Sequence, residues 1–421
     1  MSGTERVFDL DFFSPADWPT GGIPGRGRRQ WTMYQGKLVF AQIMEHWPVH
    51  EFQKCVSRYG GNYKSRGFSC NDQFLCMSFA QLTFRESLRD IEAGLRSVPA
   101  KLYHLGFRGH IARSTLADAN ETRDWRIYAD FAQVLIGIAR PMYATEPLGI
   151  DLDATVYALD STTIDLCLAV FPWAHFRKEK AAVKMRTLLD LRGPIPTFIE
   201  VSDGKRHDVH FLDDIAFEPG AFYVMDRAYL DFERLHALHR TGAFFVTRTK
   251  TGVILKRRYS RPVPSETGVR SDQTVALGTA RSAKHYPDTL RRVRFIDPLK
   301  GTPLIFLTNN FELPAFTITQ LYKSRWQVEL FFKWIKQHLR IKAFYGHSEN
   351  AVKTQIWIAV ASYVLIAILK KRLGLEASLH EILQVLSLNL FEKTPILQAC
   401  GEMISQEKST LIYKQMNLLD L

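Results

Sequence analysis

Three carboxylates of this chain stand where metal-assisted chemistry would need them. Asp160 closes the apolar run Val156-Tyr157-Ala158-Leu159, Asp226 closes Ala221-Phe222-Tyr223-Val224-Met225, and Glu329 lies among bases in a helical stretch. A strand terminus fixes a carboxylate at a sheet edge, and several hard oxygen ligands meeting there with few soft ones suit Mg²⁺ or Mn²⁺. Two such ions can activate a nucleophile and stabilise the leaving oxygen of an in-line phosphoryl displacement. Either aspartate alone is weak evidence, since strand-end aspartates often just cap turns. Asp160, Asp226 and Glu329 together form the candidate catalytic and metal-binding set.

The stretch from Thr317 to Arg340, TITQLYKSRWQVELFFKWIKQHLR, reads as one helix. At about 100° per residue, Tyr322, Arg325, Glu329 and Lys336 fall within an arc of roughly 60° and form a polar stripe. Leu321, Val328, Phe331, Phe332, Ile335 and Leu339 cover the adjoining face, so the stripe borders a core. Taken alone, Arg325 and Glu329 four residues apart are an ordinary ion-pair ladder. Convergence with two strand-end aspartates gives the pair a chemical use.

The elements that would carry these residues follow in a definite order. Helical spacings run from Gly36 to about 140, interrupted by the turn Tyr59-Gly60-Gly61-Asn62, with Ser114 as the expected N-cap of a third long helix. Short turns and the arginines at 85, 89, 96, 108, 113, 123 and 126 suit a helix-turn-helix-like DNA reader, although a plain helical platform fits as well. Beyond Pro141 the period changes to that of strands. Val156–Ser161, Ala182–Leu191 and Ile195–Val201 read as an antiparallel meander, followed by a short helix from Asp208, a strand at 221–226, a helix at 230–239 and a strand at 243–247. Three strands, helix, strand, helix, strand is the order of a ribonuclease-H-like sheet, so the fold class is α/β. The expected organisation is a flexible basic arm at 1–30, a helical DNA-binding region at 31–142, a ribonuclease-H-like core from 150–249 and 304–372, a basic β-rich insertion at 250–303, and a C-terminal helical region at 373–421.

Charge points to a polyanionic partner. The formal net charge is +12, and Arg248 to Lys300 holds thirteen Lys and Arg against four acids. Five scattered cysteines without CxxC spacing argue against a disulfide framework and a structural zinc site, which fits a reducing compartment. No secretory leader is visible at the start, and the most apolar run, Ile356 to Leu369, is short for a bilayer span and reads as a buried core helix.

The chain resembles a DDE transposase of the insertion-sequence-four family. That family's signature is Tyr, two residues, Arg, three residues, Glu, six residues, Lys, and Tyr322, Arg325, Glu329 and Lys336 fit every position. The strand motifs fit as well, in YALDSTT at Asp160 and YVMDRAY at Asp226, and the match extends from roughly Val156 to Leu369. The resemblance implies metal-dependent cleavage at transposon inverted repeats, strand transfer by the freed 3′-hydroxyl, a DNA hairpin intermediate, and a homodimer on double-stranded DNA. It implies that Tyr322, Arg325 and Lys336 hold phosphates near the cut, and it places the protein in a bacterial cytoplasm, at the nucleoid when bound to DNA and away from membranes. Some relatives stack a flipped base on a tryptophan of the insertion. Here the only tryptophan between Asp226 and Glu329 is Trp326, which leaves Tyr259, Tyr286 or a different handling of the hairpin. A nuclease without strand transfer and a non-catalytic DNA-binding derivative are the competing readings.

Overall fold

A computed structural model describes residues 36–65, 67–177, 180–297, 301–339 and 344–400. The expected basic arm at 1–30, Lys178 and residues 401–421 of the expected C-terminal region lie outside the described residues.

Six helices open the described chain: α1 (Val39–Met44), α2 (Val49–Arg58), α3 (Cys70–Leu82), α4 (Leu88–Arg96), α5 (Arg113–Thr122) and α6 (Arg126–Tyr143). Pro48, unable to continue a helix from α1, stands at the N-cap of α2. Ser69 and Asp72 close a capping box at the start of α3. The third long helix of the sequence reading is two helices, divided at Arg123-Asp124-Trp125, and Ser114 lies inside α5 behind an Ala112 cap. Asp124 causes the break, because its carboxylate accepts from the Arg126 backbone N–H and also binds the Arg126 guanidinium.

Strands β1 (Val156–Leu166), β2 (His175–Arg177), β3 (Lys180–Asp190) and β4 (Ile195–Asp203) come next, and β1, β3 and β4 make the expected antiparallel meander. A Cβ at Gly193, in the β3–β4 turn, would run into the Tyr143 ring at the end of α6. Then follow a 3₁₀ turn at Asp208–Asp214, β5 (Phe222–Met225), α7 (Phe232–Arg240) and β6 (Phe244–Arg248). The basic segment holds β7 (Leu255–Arg261), β8 (Val269–Leu277), α8 (Ala280–His285) and β9 (Leu290–Ile296), after which β10 (Pro303–Thr308) returns to the centre.

These ten strands form one sheet among the described residues, in the order β2-β3-β1-β5-β6-β10-β9-β8-β7 with β4 also on β3. The pairs β1–β5 and β5–β6 are parallel; all others are antiparallel. The basic segment is strand-rich, as its sequence suggests. It continues the same sheet through β9–β10 pairing.

The segment read as one helix from Thr317 is two, α9 (Ala315–Ser324) and α10 (Trp326–Leu339), with Arg325 as the single residue between them. Beyond them, α11 (Glu349–Leu373) and α12 (Leu379–Asn389) complete the described elements, α12 opening on the expected Ser378–Glu381 capping box. By length and hydropathy α11 qualifies as a membrane span, so the argument from a short run fails; 94% of its apolar window is buried inside the protein. It passes among α3, α5, α6, α10 and α12, which explains why it is apolar on every side. Trp334 and Trp357 join this core.

His46, just past α1, faces Arg372 at the end of α11. Burial, then the Arg372 charge, pushes its imidazole down to about 4, against a weaker pull from Glu45. A depressed folded-state value means the folded protein prefers the neutral ring. The associated stability is present above pH 6.5 and is lost as pH falls toward 4. Denaturant melts from pH 7 to pH 4.5 should therefore show a steeper loss in the native protein than in His46→Gln.

Candidate active site

The sheet register brings two of the sequence-predicted carboxylates side by side. In the parallel β1–β5 pair Leu159 is matched with Met225, so the next residues, Asp160 and Asp226, follow in step on neighbouring strands. Asp226 directly follows the last residue of β5, at the strand terminus expected for it. Asp160 does not end β1, which runs six residues further paired to β3; it is β5 that stops, and this opens the Asp160 side of β1. The Ser161 backbone N–H donates to Asp160 Oδ1 at 2.8 Å, and the buried Thr247 hydroxyl donates to the Asp226 carbonyl at 3.3 Å.

α9, α10 and the residue between them lay Tyr322, Arg325 and Glu329 over this edge. Arg325 donates from Nη1 to Asp160 Oδ2 at 2.5 Å and from Nη2 to Glu329 Oε1 at 2.6 Å, while the Tyr322 phenol donates to Asp226 Oδ1 at 3.3 Å. Arg325 is thus in the i,i+4 ladder with Glu329 and in a second ion pair across the sheet edge. Lys336, two turns beyond Glu329, is exposed on α10, and among the described residues no ion pair joins it to Asp160, Asp226 or Glu329. The Tyr322 ring packs on Phe306 of β10, 4.8 Å between centroids.

The three carboxylates share one electrostatic neighbourhood. Burial pushes the Asp160 carboxyl up to about 6, opposed by Arg325 and the Ser161 N–H and reinforced by the negative charges of Asp226 and Glu329. Such a group gains from a nearby cation. Among the described residues no three His, Cys, Asp or Glu side chains are close enough to hold a metal ion as they stand. The donor set is nevertheless one for a hard divalent ion, and the Arg325 guanidinium is a stand-in cation bridging two of its members.

Arg248 was not singled out from sequence. It ends β6 one residue beyond the Met225–Thr247 match, in step with Asp226, and its charge acts on the Tyr322 phenol. Its signal was the alignment of strand ends, which needs the register. A cleft of about 330 Å³ opens at Asp226, lined also by Arg227, Ala228, Lys250 and Thr251.

Other expectations fare differently. Tyr286 is 1% exposed, stacked on His239 and hydrogen-bonded to it at 2.8 Å, so it cannot receive a base; Tyr259 on β7 is 60% exposed. His207 stands at the N-cap position of the 3₁₀ turn without a side-chain capping bond, and Asp208 is ion-paired with Lys184 and Arg186. Of the N-terminal arginines, Arg85 and Arg123 are half-buried and bonded within the fold, Arg123 to the carbonyls of Ser69 and Phe68, whereas Arg89, Arg96, Arg108, Arg113 and Arg126 are exposed, the last paired with Asp124.

The transposase DDE domain family matches residues 151–365, half of the chain and all of this site. The chain belongs to that family. It is accordingly a DNA transposase, a metal-dependent DNA-cleaving enzyme. A domain family of unknown function, DUF4372, matches residues 35–108. The transposase is 34% identical over 257 residues to a Sinorhizobium fredii protein named as transposase y4zB, covering 60% of this chain and 70% of that one. It is 33% identical over 212 residues to a Geobacillus stearothermophilus protein named as the transposase of insertion sequence element IS5377, covering 49% and 55%. A Synechocystis protein named for the element IS4SA is 22% identical over 326 residues, 76% of this chain and 89% of its own. A piggyBac transposase synaptic complex with hairpin DNA aligns with 88% of this chain and 83% of its own at a TM-score of 0.45 and 9% identity.

Proposed function

We propose that this transposase is a cut-and-paste enzyme of the insertion-sequence-four type, built on a ribonuclease-H-like core, that cleaves the inverted repeats of its own element and joins the freed 3′ ends to target DNA. The single observation that carries this reading is the stepwise alignment of Asp160 with Asp226 across β1 and β5, with Glu329 tied to Asp160 through one guanidinium. Asp160, Asp226 and Glu329 are the residues that would hold Mg²⁺ or Mn²⁺, two ions in this reading. Ions bound there supply charge neutralisation for the attacking and leaving oxygens.

The chain's own residues do the rest. The Tyr322 phenol and the Arg325 guanidinium donate to phosphate oxygens beside the cut, and Lys336 adds a point charge further along the same face. Arg227 and Lys250 flank the cleft at Asp226 and suit a phosphodiester backbone entering it. The outer edge of the sheet extends the track: β7 exposes Lys256, Arg257 and Arg258 around Tyr259. The helices of 31–142 are assigned to DNA contact, with action on two ends by a homodimer and a hairpin intermediate between cleavage and joining. The working place of such a protein is the nucleoid.

The test is a product assay with purified transposase, a duplex carrying the element's terminal repeats, and Mg²⁺ or Mn²⁺. Metal-dependent nicking and a joined product with supplied target DNA are expected. Nicking without joining from a pre-cut end makes the protein a nuclease instead, and Asp160→Ala with no effect in any assay makes it a non-catalytic DNA binder.

A further inference from the structure

We propose that Arg325 is a positioning residue that couples ion binding to DNA binding: in the DNA-free protein its guanidinium occupies the cation position between Asp160 and Glu329, and a DNA phosphate draws it away so that the carboxylates are released to a divalent ion. The inference rests on the carboxylate set proposed above.

Two nitrogens of one side chain each take one oxygen from two carboxylates, at 2.5 Å and 2.6 Å. The third carboxylate, Asp226, has the Tyr322 phenol on it. Every member of the set is therefore capped by a signature side chain. A guanidinium seated on one oxygen of each carboxylate competes by charge and by position with a divalent ion approaching the same pair. The DNA-free protein consequently binds an ion more weakly while Arg325 stays in place.

A phosphate offers the guanidinium an equivalent partner, because its oxygens match the same planar fork of N–H donors. The local backbone does not oppose the exchange. Arg325 is the lone residue between α9 and α10, flanked by i→i+3 bonds from its own N–H to Tyr322 and from Val328 N–H to its carbonyl. Glu329 is on the solvent side, its side chain 58% exposed against 18% for Asp160, so one carboxylate is free to turn as the guanidinium leaves. Arg325 Nε is buried without a partner among the described residues, so the present pose leaves one donor unused. Linkage makes the coupling reciprocal: whatever factor DNA adds to ion affinity, the ion adds to DNA affinity. The site is thereby kept unloaded until a substrate backbone is in place.

The experiment is a Mn²⁺ titration of the full chain, read from the electron paramagnetic resonance signal of free Mn²⁺, with and without a duplex carrying the terminal repeat and with a duplex-only control. Arg325→Gln without DNA should bind Mn²⁺ at least about tenfold more tightly than the native protein, a factor equivalent to about 1.4 kcal/mol. The duplex should tighten the native protein by a similar factor and leave the variant nearly unchanged. Equal affinity of the two DNA-free proteins, or equal tightening of both by DNA, overturns the coupling while leaving the carboxylate set intact. Mn²⁺ binding to the DNA complex that is indifferent to Asp160→Asn overturns the set itself, and the coupling with it. Should Arg325→Gln not fold, Arg325→Lys serves, since an ammonium reaches one carboxylate at a time and should give an intermediate affinity.

Discussion

Asp226→Asn is expected to abolish DNA cleavage, by about a thousandfold or more, with DNA affinity held within a few fold. The size follows from the several kcal/mol of charge stabilisation that a metal site contributes to phosphoryl displacement, about 4 kcal/mol being a factor of roughly a thousand. The selectivity follows from the structure. Asp226 is bound by a neutral phenol and not by an arginine, so its amide analogue keeps the Tyr322 contact and strands no buried charge. The backbone anchor from Thr247 is to the carbonyl and survives any side-chain change. A nicking assay beside a DNA-binding titration checks it, and retained nicking would remove Asp226 from the catalytic set.

Asp272→Asn is expected to be the most damaging single change in the basic segment. Asp272 on β8 holds Arg291 on β9 through two bonds, at 2.9 Å and 2.8 Å, with both side chains at most 5% exposed. Removing the negative partner leaves a guanidinium buried without its counter-charge, which costs about 3–5 kcal/mol. Arg291 also donates to the carbonyls of Leu313 at 2.6 Å and Asn310 at 3.3 Å, in the turn that launches α9. A thermal midpoint lowered by roughly 3–6 °C should therefore be accompanied by slower cleavage, because Tyr322 and Arg325 hang from that helix. The paired replacement Asp272→Leu with Arg291→Met should recover part of the midpoint, since it leaves neither member of this pair alone, while Arg261, 3.9 Å from Asp272, still loses its counter-charge.

The Arg291 pair also shows why the basic segment was hard to place from its composition. Pro, Gly and Ser between short apolar runs read as a separate insertion. Among the links that join it to the rest are the backbone pairing of β9 with β10 and the bonds of Arg291 to the Asn310 and Leu313 carbonyls, and neither leaves a local mark. The same limit explains the single helix read from Thr317 onward. Residues 315–339 are helical in pattern throughout, and the division at Arg325 coincides with that side chain being drawn to Asp160, 165 positions away. Ser114 was a reasonable cap by type. The chain instead places the cap at Ala112, two residues earlier, because capping preference is weak beside the packing of Leu116 and Ala119 into the helical core.

By itself the amino-acid sequence determined the alternation of strands and helices, the identity of the three acids and their spaced companions, and the excess of positive charge. Each of these is written in side-chain type and period, which act over a few residues. Only the tertiary structure decided that Asp160 lies in mid-strand with its neighbour cut short, that Arg248 lines up with Asp226, that Tyr286 is sealed against His239, and that Arg325 sits on two carboxylates. Those outcomes depend on register and on which buried charge finds which partner. Both are settled by contacts between residues tens to hundreds of positions apart.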